Sequence, residues 1–431
     1  MTVWLKRRPR RNALGWLAFL APFFYLTYGW ANHMASAAHA RSPVPVIVFD
    51  WERGIPFWQW TIFPYWSINA FYGLSLFLAR DRHELRRHAL RLLTAQLVAV
   101  SCFVLWPLRF SFGQPEADGA AGLLFAGLRG FDLSFNQAPS LHIALAVILW
   151  DFYRQQVRPP AARLFMHVWT FLICASVLTT YQHHFIDIPT GALLGTVCVW
   201  LWPLERQAAL LRAWRVTRVA GRLKLAAWYA ASAGLCTALA LWWGGVALWL
   251  LWPALSLLVV ALNYYGFGPR GFRMDSRGRM HWSARWLLGP YRAGARVNAR
   301  LWTRNVPLAS QILPDLWLGR LPDTAEWLAA GKPLVVSLCA EMQNPDREHG
   351  RCMAVLDLVP PDAGKLKRAA LLINAATSRG HDVWVCCALG FSRSALALAH
   401  ALVTNGSAPN HAAAVQLIRE KRPQIVIKDP A

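Results

Sequence analysis

The sequence predicts an all-α polytopic membrane bundle of six core spans plus two, followed by a small α/β domain on the cytoplasmic side. Three observations carry this. Apolar runs recur along the first 265 residues, basic residues fill every second gap between those runs, and the pattern after Tyr265 changes to short β-like runs alternating with helical stretches. The chain has 431 residues, 56% of them hydrophobic, with 24 Trp, 21 Phe and only 16% charged residues. Chains that stay disordered are poor in aromatics and rich in charge, so disorder is excluded.

A helix needs about 17 to 25 apolar residues to cross the hydrocarbon core. Such runs fall at 14–31, 57–79, 92–108, 141–153, 164–181, 188–204, 225–243 and 246–264, the fourth being short and ending near Asp151. The first follows a basic head (Lys6, Arg7, Arg8, Arg10, Arg11). That head also suits a signal peptide, but with seven further spans and no clear small-residue cleavage site it predicts a retained helix.

The charge pattern orients the bundle. Arg80, Arg82, Arg86, Arg87 and Arg91 lie between runs two and three. Arg154, Arg158 and Arg163 lie between four and five, and Arg206, Arg212, Arg215, Arg218, Arg222 and Lys224 between six and seven. The segment 109–138 is nearly neutral. Basic residues concentrate on the cytoplasmic side of membrane proteins. The formal net charge of +23 is therefore read as topology, with no nucleic-acid partner. The expected location is the cell inner membrane, multi-pass, with the N-terminus and the C-terminal domain cytoplasmic.

The segments expected are 1–54 (tail, first span and outer loop), 55–205 (membrane catalytic core), 206–265 (two further spans), 266–304 (basic juxtamembrane linker) and 305–431 (soluble domain). The linker interleaves Arg270, Arg273, Arg277, Arg279, Arg285, Arg292, Arg296, Arg300 and Arg304 with Trp282, Trp286 and Trp302. Such a mixture suits a segment lying on anionic headgroups, in part as an amphipathic helix, although a solvated basic linker has the same composition. Cys102, Cys174, Cys198 and Cys236 fall in predicted spans as small apolar residues. Cys339, Cys352, Cys386 and Cys387 fall in the domain placed in the reducing cytoplasm. The chain contains no Cys-x2-Cys pair, which argues against a structural zinc site.

In the soluble domain the β-like run 383–386 meets Cys387; five residues later come Arg393, Ser394 and an apolar helix. A loop opening a helix N-terminus gathers amide N–H groups on an anion and lowers a thiol pKa, which makes Cys387 a candidate thiolate nucleophile. Arg393 supplies a bidentate clamp for phosphoryl oxygens, Gly390 permits the turn, and Ser394 can stabilise the departing thiolate. These residues resemble the dual-specificity branch of the protein tyrosine phosphatase superfamily, whose Cys-x5-Arg-Ser signature matches at Cys387, Gly390, Arg393 and Ser394. The run 312–319 looks like that family's first strand. The resemblance implies a general-acid Asp some thirty residues before the cysteine: Asp357, with Asp362 as fallback. The family's histidine before the nucleophile is replaced by Cys386. No cofactor is implied.

In the membrane segment, Pro139, Ser140 and His142 open the fourth run, and His183 and Asp187 join the fifth and sixth. An antiparallel pair of spans brings both to the outer face. His183 and Asp187, four apart, share a face on a helical turn, so a carboxylate would fix the imidazole tautomer and sharpen its other nitrogen. His142 would protonate the leaving group. The Pro-Ser-x-His and His-x3-Asp elements resemble the type 2 phosphatidic acid phosphatase superfamily, which implies a phosphohistidine at His183. The stretch 106–115 is similar to the family's first motif, with Gln114 and Val177 where the family has arginines and Leu141 where it has glycine. Arg109, and Arg129 as a further candidate, are left to bind phosphate. This form is more similar to the branch containing inositol phosphorylceramide and sphingomyelin synthases.

The function expected is a bifunctional phosphatase/phosphotransferase of phospholipid metabolism whose partners are membrane phospholipids. The alternatives are a tethered protein tyrosine/serine phosphatase, and a phosphate-sensing domain regulating the membrane domain. The near absence of charges inside the spans argues against a transporter's ion pathway.

Overall fold

The structure, a computed structural model, describes residues 9–130, 132–205 and 210–427. Lys6, Arg7, Arg8 and Arg206 lie outside the described residues. The chain divides into two compact units, Met1–Ala209 and Leu210–Ala431.

The first unit is helical: α1 (Arg10–His39), α2 (Ile62–Leu78), α3 (Arg82–Leu105), α4 (Gly119–Arg129), α5 (Leu141–Gln156), α6 (Pro160–Thr179) and α7 (Asp187–Leu201). Of the basic residues expected between the second and third runs, Arg82, Arg86, Arg87 and Arg91 belong instead to α3, and only Arg80 lies in the gap. Asp81 caps that helix, accepting from the Glu84 N–H at 2.9 Å, so it begins ten residues before the apolar run. Arg91 is buried in it and paired with Asp151 at 2.8 Å, while Asp151 also accepts from Arg154. The pair explains why the fourth run continues past its charge: Asp151 is neutralised inside α5, and the helix runs on to Gln156. Helix α4, in the nearly neutral 109–138 segment, was not expected; it buries Ala121, Phe125 and Leu128 against Ile62, Tyr65 and Val177.

Helices α5 and α7 approach closely at two glycines. A Cβ on Gly191 would lie 2.4 Å from the Ser140 carbonyl oxygen, and one on Gly195 would lie 2.7 Å from that of Ala144. Small residues four apart are what lets apolar helices bring their backbones together.

The second unit opens with α8 (Ala220–Trp243) and α9 (Leu251–Leu262), which continues into a π-helical turn, Asn263–Phe267. The segments Arg82–Leu105, Pro160–Thr179, Ala220–Trp243 and Gly245–Phe272 are helices long and apolar enough to cross a membrane, which is compatible with a membrane protein.

Residues 268–303 are folded. Helices α10 (Trp282–Leu287) and α11 (Gly289–Thr303) bury Ala284, Leu287, Leu288 and Ala299. There follow β1 (Ala309–Leu313), β2 (Leu316–Arg320), α12 (Thr324–Ala329), β3 (Leu334–Cys339), β4 (Arg351–Val355), α13 (Ala363–Thr377), β5 (Val383–Cys387), α14 (Arg393–Thr404) and α15 (His411–Lys421). The strands form one sheet in the order β1-β2-β5-β3-β4, antiparallel only between β1 and β2. Alternation along β5 divides its faces: Val383 and Val385 join α13 and α14, while Trp384 and Cys386 join Ala299 of α11. The domain is thus α/β, as expected. The basic segment supplies part of one of its two covering layers.

Candidate active site

Parallel strands β3 and β5 end at the same edge of the sheet, where open α/β sheets present their sites. Cys387 is the last residue of β5 and Arg393 the first of α14, so the five residues between them make the strand-to-helix loop. Gly390 has φ +74°, and a Cβ there would stand 2.3 Å from the Gly319 carbonyl carbon. Both the turn and the close pass over β2 require glycine at this position.

The cysteine sulfur accepts from the Ser394 hydroxyl at 3.3 Å. Burial alone would raise the Cys387 thiol. The Arg393 charge, the Ser394 hydroxyl and the backbone N–H groups of Ser394 and Gly390 outweigh it and hold the thiol below its ordinary range. Cys386, where the resemblance has histidine, points the other way, into the core beside Ala299 and Trp384. Burial pushes its thiol up, so of the adjacent pair only Cys387 has thiolate character.

Arg393 is buried and spends its donors on four partners. It contacts the two oxygens of Glu341 at 2.7 and 3.2 Å, the Val355 carbonyl at 2.8 Å, Asp357 Oδ1 at 2.8 Å and, more weakly, the Leu338 carbonyl at 3.5 Å. Glu341 was missed in the sequence. Its signal was modest: an acidic residue just beyond the β-like run 334–338, at the edge where Cys387 emerges. Burial would raise the Glu341 carboxyl, but the Arg393 guanidinium holds it below the usual range. For Asp357 the balance is reversed. Burial raises its carboxyl, Arg393 opposes and the Glu341 anion adds to the rise, leaving it above the ordinary range. The shift is in the direction a general acid requires. The fallback Asp362 caps α13, accepting from the Lys365 N–H at 2.9 Å and pairing with the Lys365 ammonium at 3.4 Å.

In the first unit, His183 Nδ1 lies 3.0 Å from Asp187 Oδ2, and Nε2 lies 3.2 Å from the Ser140 hydroxyl. The two residues meet although His183 is not helical: Tyr181 turns the chain at φ +55° and α7 begins only at Asp187. The N–H of Ser140 donates to the Asp187 carbonyl at 3.2 Å, which ties the two motifs together. His142 and His183 line one cavity of about 190 Å³ with Tyr28, Tyr65, Trp66 and Asp132. The His142 ring stacks on Tyr65 at 4.1 Å, and its Nε2 is buried with no hydrogen-bond partner. Asp132, not anticipated, accepts from the Tyr28 hydroxyl at 2.7 Å.

Arg109 is not among the residues lining this cavity; its N–H donates to the Pro45 carbonyl and its Nε is buried without a partner. Arg129 meets Gln114 Oε1 at 3.4 Å, and the Gln114 amide donates to the Thr180 carbonyl. Val177 packs in the core formed by α2, α4 and α5. Among the described residues, no cluster of His, Cys, Asp or Glu could hold a metal ion.

No protein-family model matches the chain, and no curated protein matches it. Its neighbours among solved structures are phosphatases of the dual-specificity and protein tyrosine type. A crystal structure of PTPMT1 in complex with PI(5)P is 20% identical, with a TM-score of 0.26 over 28% of this chain and 88% of that one. Human DUSP28 is 21% identical, with a TM-score of 0.26 over 28% of this chain and 86% of that one. Tk-PTP in the active form is 20% identical, with a TM-score of 0.25 over 28% and 88%.

Proposed function

We propose that the chain is a bifunctional inner-membrane enzyme of phospholipid metabolism: a cysteine-dependent phosphomonoesterase at Cys387 and a histidine-dependent headgroup hydrolase or transferase at His183. The carrying observation is the Cys387 thiol, held by Ser394 and the loop amides, facing an Arg393 that Glu341 and Asp357 fix in place. In the reaction the Cys387 thiolate attacks phosphorus and the bond to the leaving oxygen breaks. Asp357 gives that oxygen its proton. Water then attacks the phosphocysteine, Asp357 takes a proton from it, and inorganic phosphate leaves while the Ser394 hydroxyl supports the departing thiolate.

A phosphate borne on lipid or inositol is the favoured substrate. The support is local: within the second unit the apolar helix α9 runs directly into the turn that touches the Asp357 loop, and Leu358 beside Asp357 is 77% exposed. At the other site the supporting observation is the Ser140–His183–Asp187 chain, whose His183 lines a cavity with no Lys or Arg among its lining residues. A phosphodiester carries one charge fewer than a monoester and needs fewer cations. On this reading the N-terminus and the second unit's soluble domain are cytoplasmic, and exposed arginines of 266–304 meet anionic headgroups.

The test uses the purified full chain in mixed micelles of phosphatidylinositol phosphate, with a phosphotyrosine peptide offered separately. Cys387→Ser should cut phosphate release by at least about 1,000-fold, since removing one member of a catalytic unit removes nearly all its effect. Preference for the peptide would favour the tethered protein phosphatase. Equally slow release by wild type and Cys387→Ser from both substrates would refute catalysis and leave a phosphate sensor.

A further inference from the structure

Tyr264 lies in the π-helical turn that ends α9, 1% exposed, and its hydroxyl donates to the main-chain carbonyl of Asp357 at 3.0 Å. Its ring stacks on Tyr229 of α8 at 5.5 Å and 28°. Tyr229 in turn meets Tyr291 of α11 edge to face at 5.8 Å. Tyr291 is itself tied back to α9, its N–H donating to the Ser256 hydroxyl at 3.3 Å. Three helices therefore hold one phenol against the loop that carries the acid.

That loop needs holding. Leu358, directly after Asp357, has φ +55°, a conformation a leucine rarely adopts unless its surroundings impose it. The Asp357 side chain is about one-third exposed and is faced by Arg393 from α14 and Glu341 from the turn after β3. The Arg393 contact fixes its carboxylate; Tyr264 fixes its backbone.

We propose that Tyr264 is a positioning residue for the general-acid step, so that the apolar hairpin α8–α9 is part of the phosphatase's catalytic apparatus rather than an anchor alone. The proposal rests on the Cys387 reading above. Its consequence is chemical. Leaving groups that depart as stable anions need no proton, whereas an alkoxide does. Loss of the tyrosine hydroxyl should therefore be felt only where the acid is needed.

The test compares wild type and Tyr264→Phe as full chains in detergent, on p-nitrophenyl phosphate and on glycerol phosphate. With glycerol phosphate kcat should fall about fivefold to tenfold, the part of a general acid's contribution that one hydrogen bond can govern. With p-nitrophenyl phosphate it should stay within about twofold, and in an Asp357→Asn background Tyr264→Phe should add no more than that on either substrate. The alkaline limb of the glycerol phosphate profile should also move to lower pH, because a released loop leaves Asp357 more hydrated. Equal losses on both substrates would make Tyr264 a structural residue only, and no loss on either would make the contact incidental; both outcomes overturn the proposal. If Cys387→Ser matches wild type on both substrates, the fault lies in the underlying reading.

Discussion

Replacing Glu341 by Gln keeps the shape of the residue that orients Arg393 and removes its charge. Glu341 is 2% exposed and makes two charge-assisted contacts to the guanidinium, at 2.7 and 3.2 Å. Leaving a buried partner wholly unpaired costs about 3–5 kcal/mol. Here Arg393 retains Asp357 and the Val355 carbonyl, and Gln offers one neutral acceptor, so the loss should be that of a charged bond made neutral, about 2 kcal/mol. The sign with pH follows from the depressed carboxyl of Glu341. A group with a lowered folded pKa contributes stability that is fully present above its unfolded value, near 4.3, and is lost as pH falls through the folded one. The thermal inactivation midpoints of wild type and Glu341→Gln, measured on the full chain, should therefore differ at pH 7 and converge towards pH 3. Kinetics supply a second readout. The Glu341 anion is one of the groups that raise Asp357. Without it, Asp357 should ionise at lower pH and the alkaline limb for an alkyl phosphate should move down. A midpoint difference that persists unchanged at pH 3, or a limb that moves upwards, would refute this account of the carboxylate pair.

Two other outcomes follow from the geometry. Iodoacetamide at pH 6.5 should alkylate Cys387 ahead of Cys386, Cys339 and Cys352, since Cys387 alone of the four has its thiol held down; burial pushes Cys352 up to about 12 and raises the other two as well. Peptide mass mapping after partial labelling checks the order. Gly191→Ala should disturb the histidine site alone: its Cβ would stand 2.4 Å from the Ser140 carbonyl oxygen, and overpacking of this kind costs about 1–3 kcal/mol. Phospholipid headgroup turnover should fall while Cys387-dependent phosphate release from the same preparation stays level.

What the sequence made legible was local in origin. Helices fall within each of the eight apolar runs, and four helical segments are long and apolar enough to cross a membrane, because apolar composition is a property of one segment. The Cys387-to-Arg393 loop was readable because all its parts lie within eight residues, and Asp357 only because the resemblance to the dual-specificity branch implies an acid some thirty residues before the cysteine. Glu341 and Tyr264 were not readable. Each acts through a tertiary contact, with Arg393 or with the Asp357 backbone, that no periodicity announces. Arg109 is close to the motif in sequence but is not among the residues that line the cavity of His142 and His183.

The arginines of 266–304 carry the reading of the membrane surface further than composition did. Arg292 is buried in α11, donating to the Arg285 carbonyl at 3.4 Å, and Ala299 sits under the sheet, so one side of the helix is committed to the domain. An amphipathic helix with a single apolar face would then have nothing left for lipid. Yet α11 exposes Val297, Leu301 and Trp302, and α10 exposes Trp286, beside the exposed Arg285, Arg296, Arg300 and Arg304. Large apolar side chains next to guanidinium groups on an outer surface are the composition of an interfacial segment, whose arginine stems lie along apolar area while their heads stay hydrated. One of these arginines already has a protein partner, Arg300 with Asp323 at 3.2 Å. The segment thus serves two surfaces at once, a structural face against β5 and an apolar-basic face turned outwards. That second face is what supports the proposed headgroup contact once the first has been assigned to the fold.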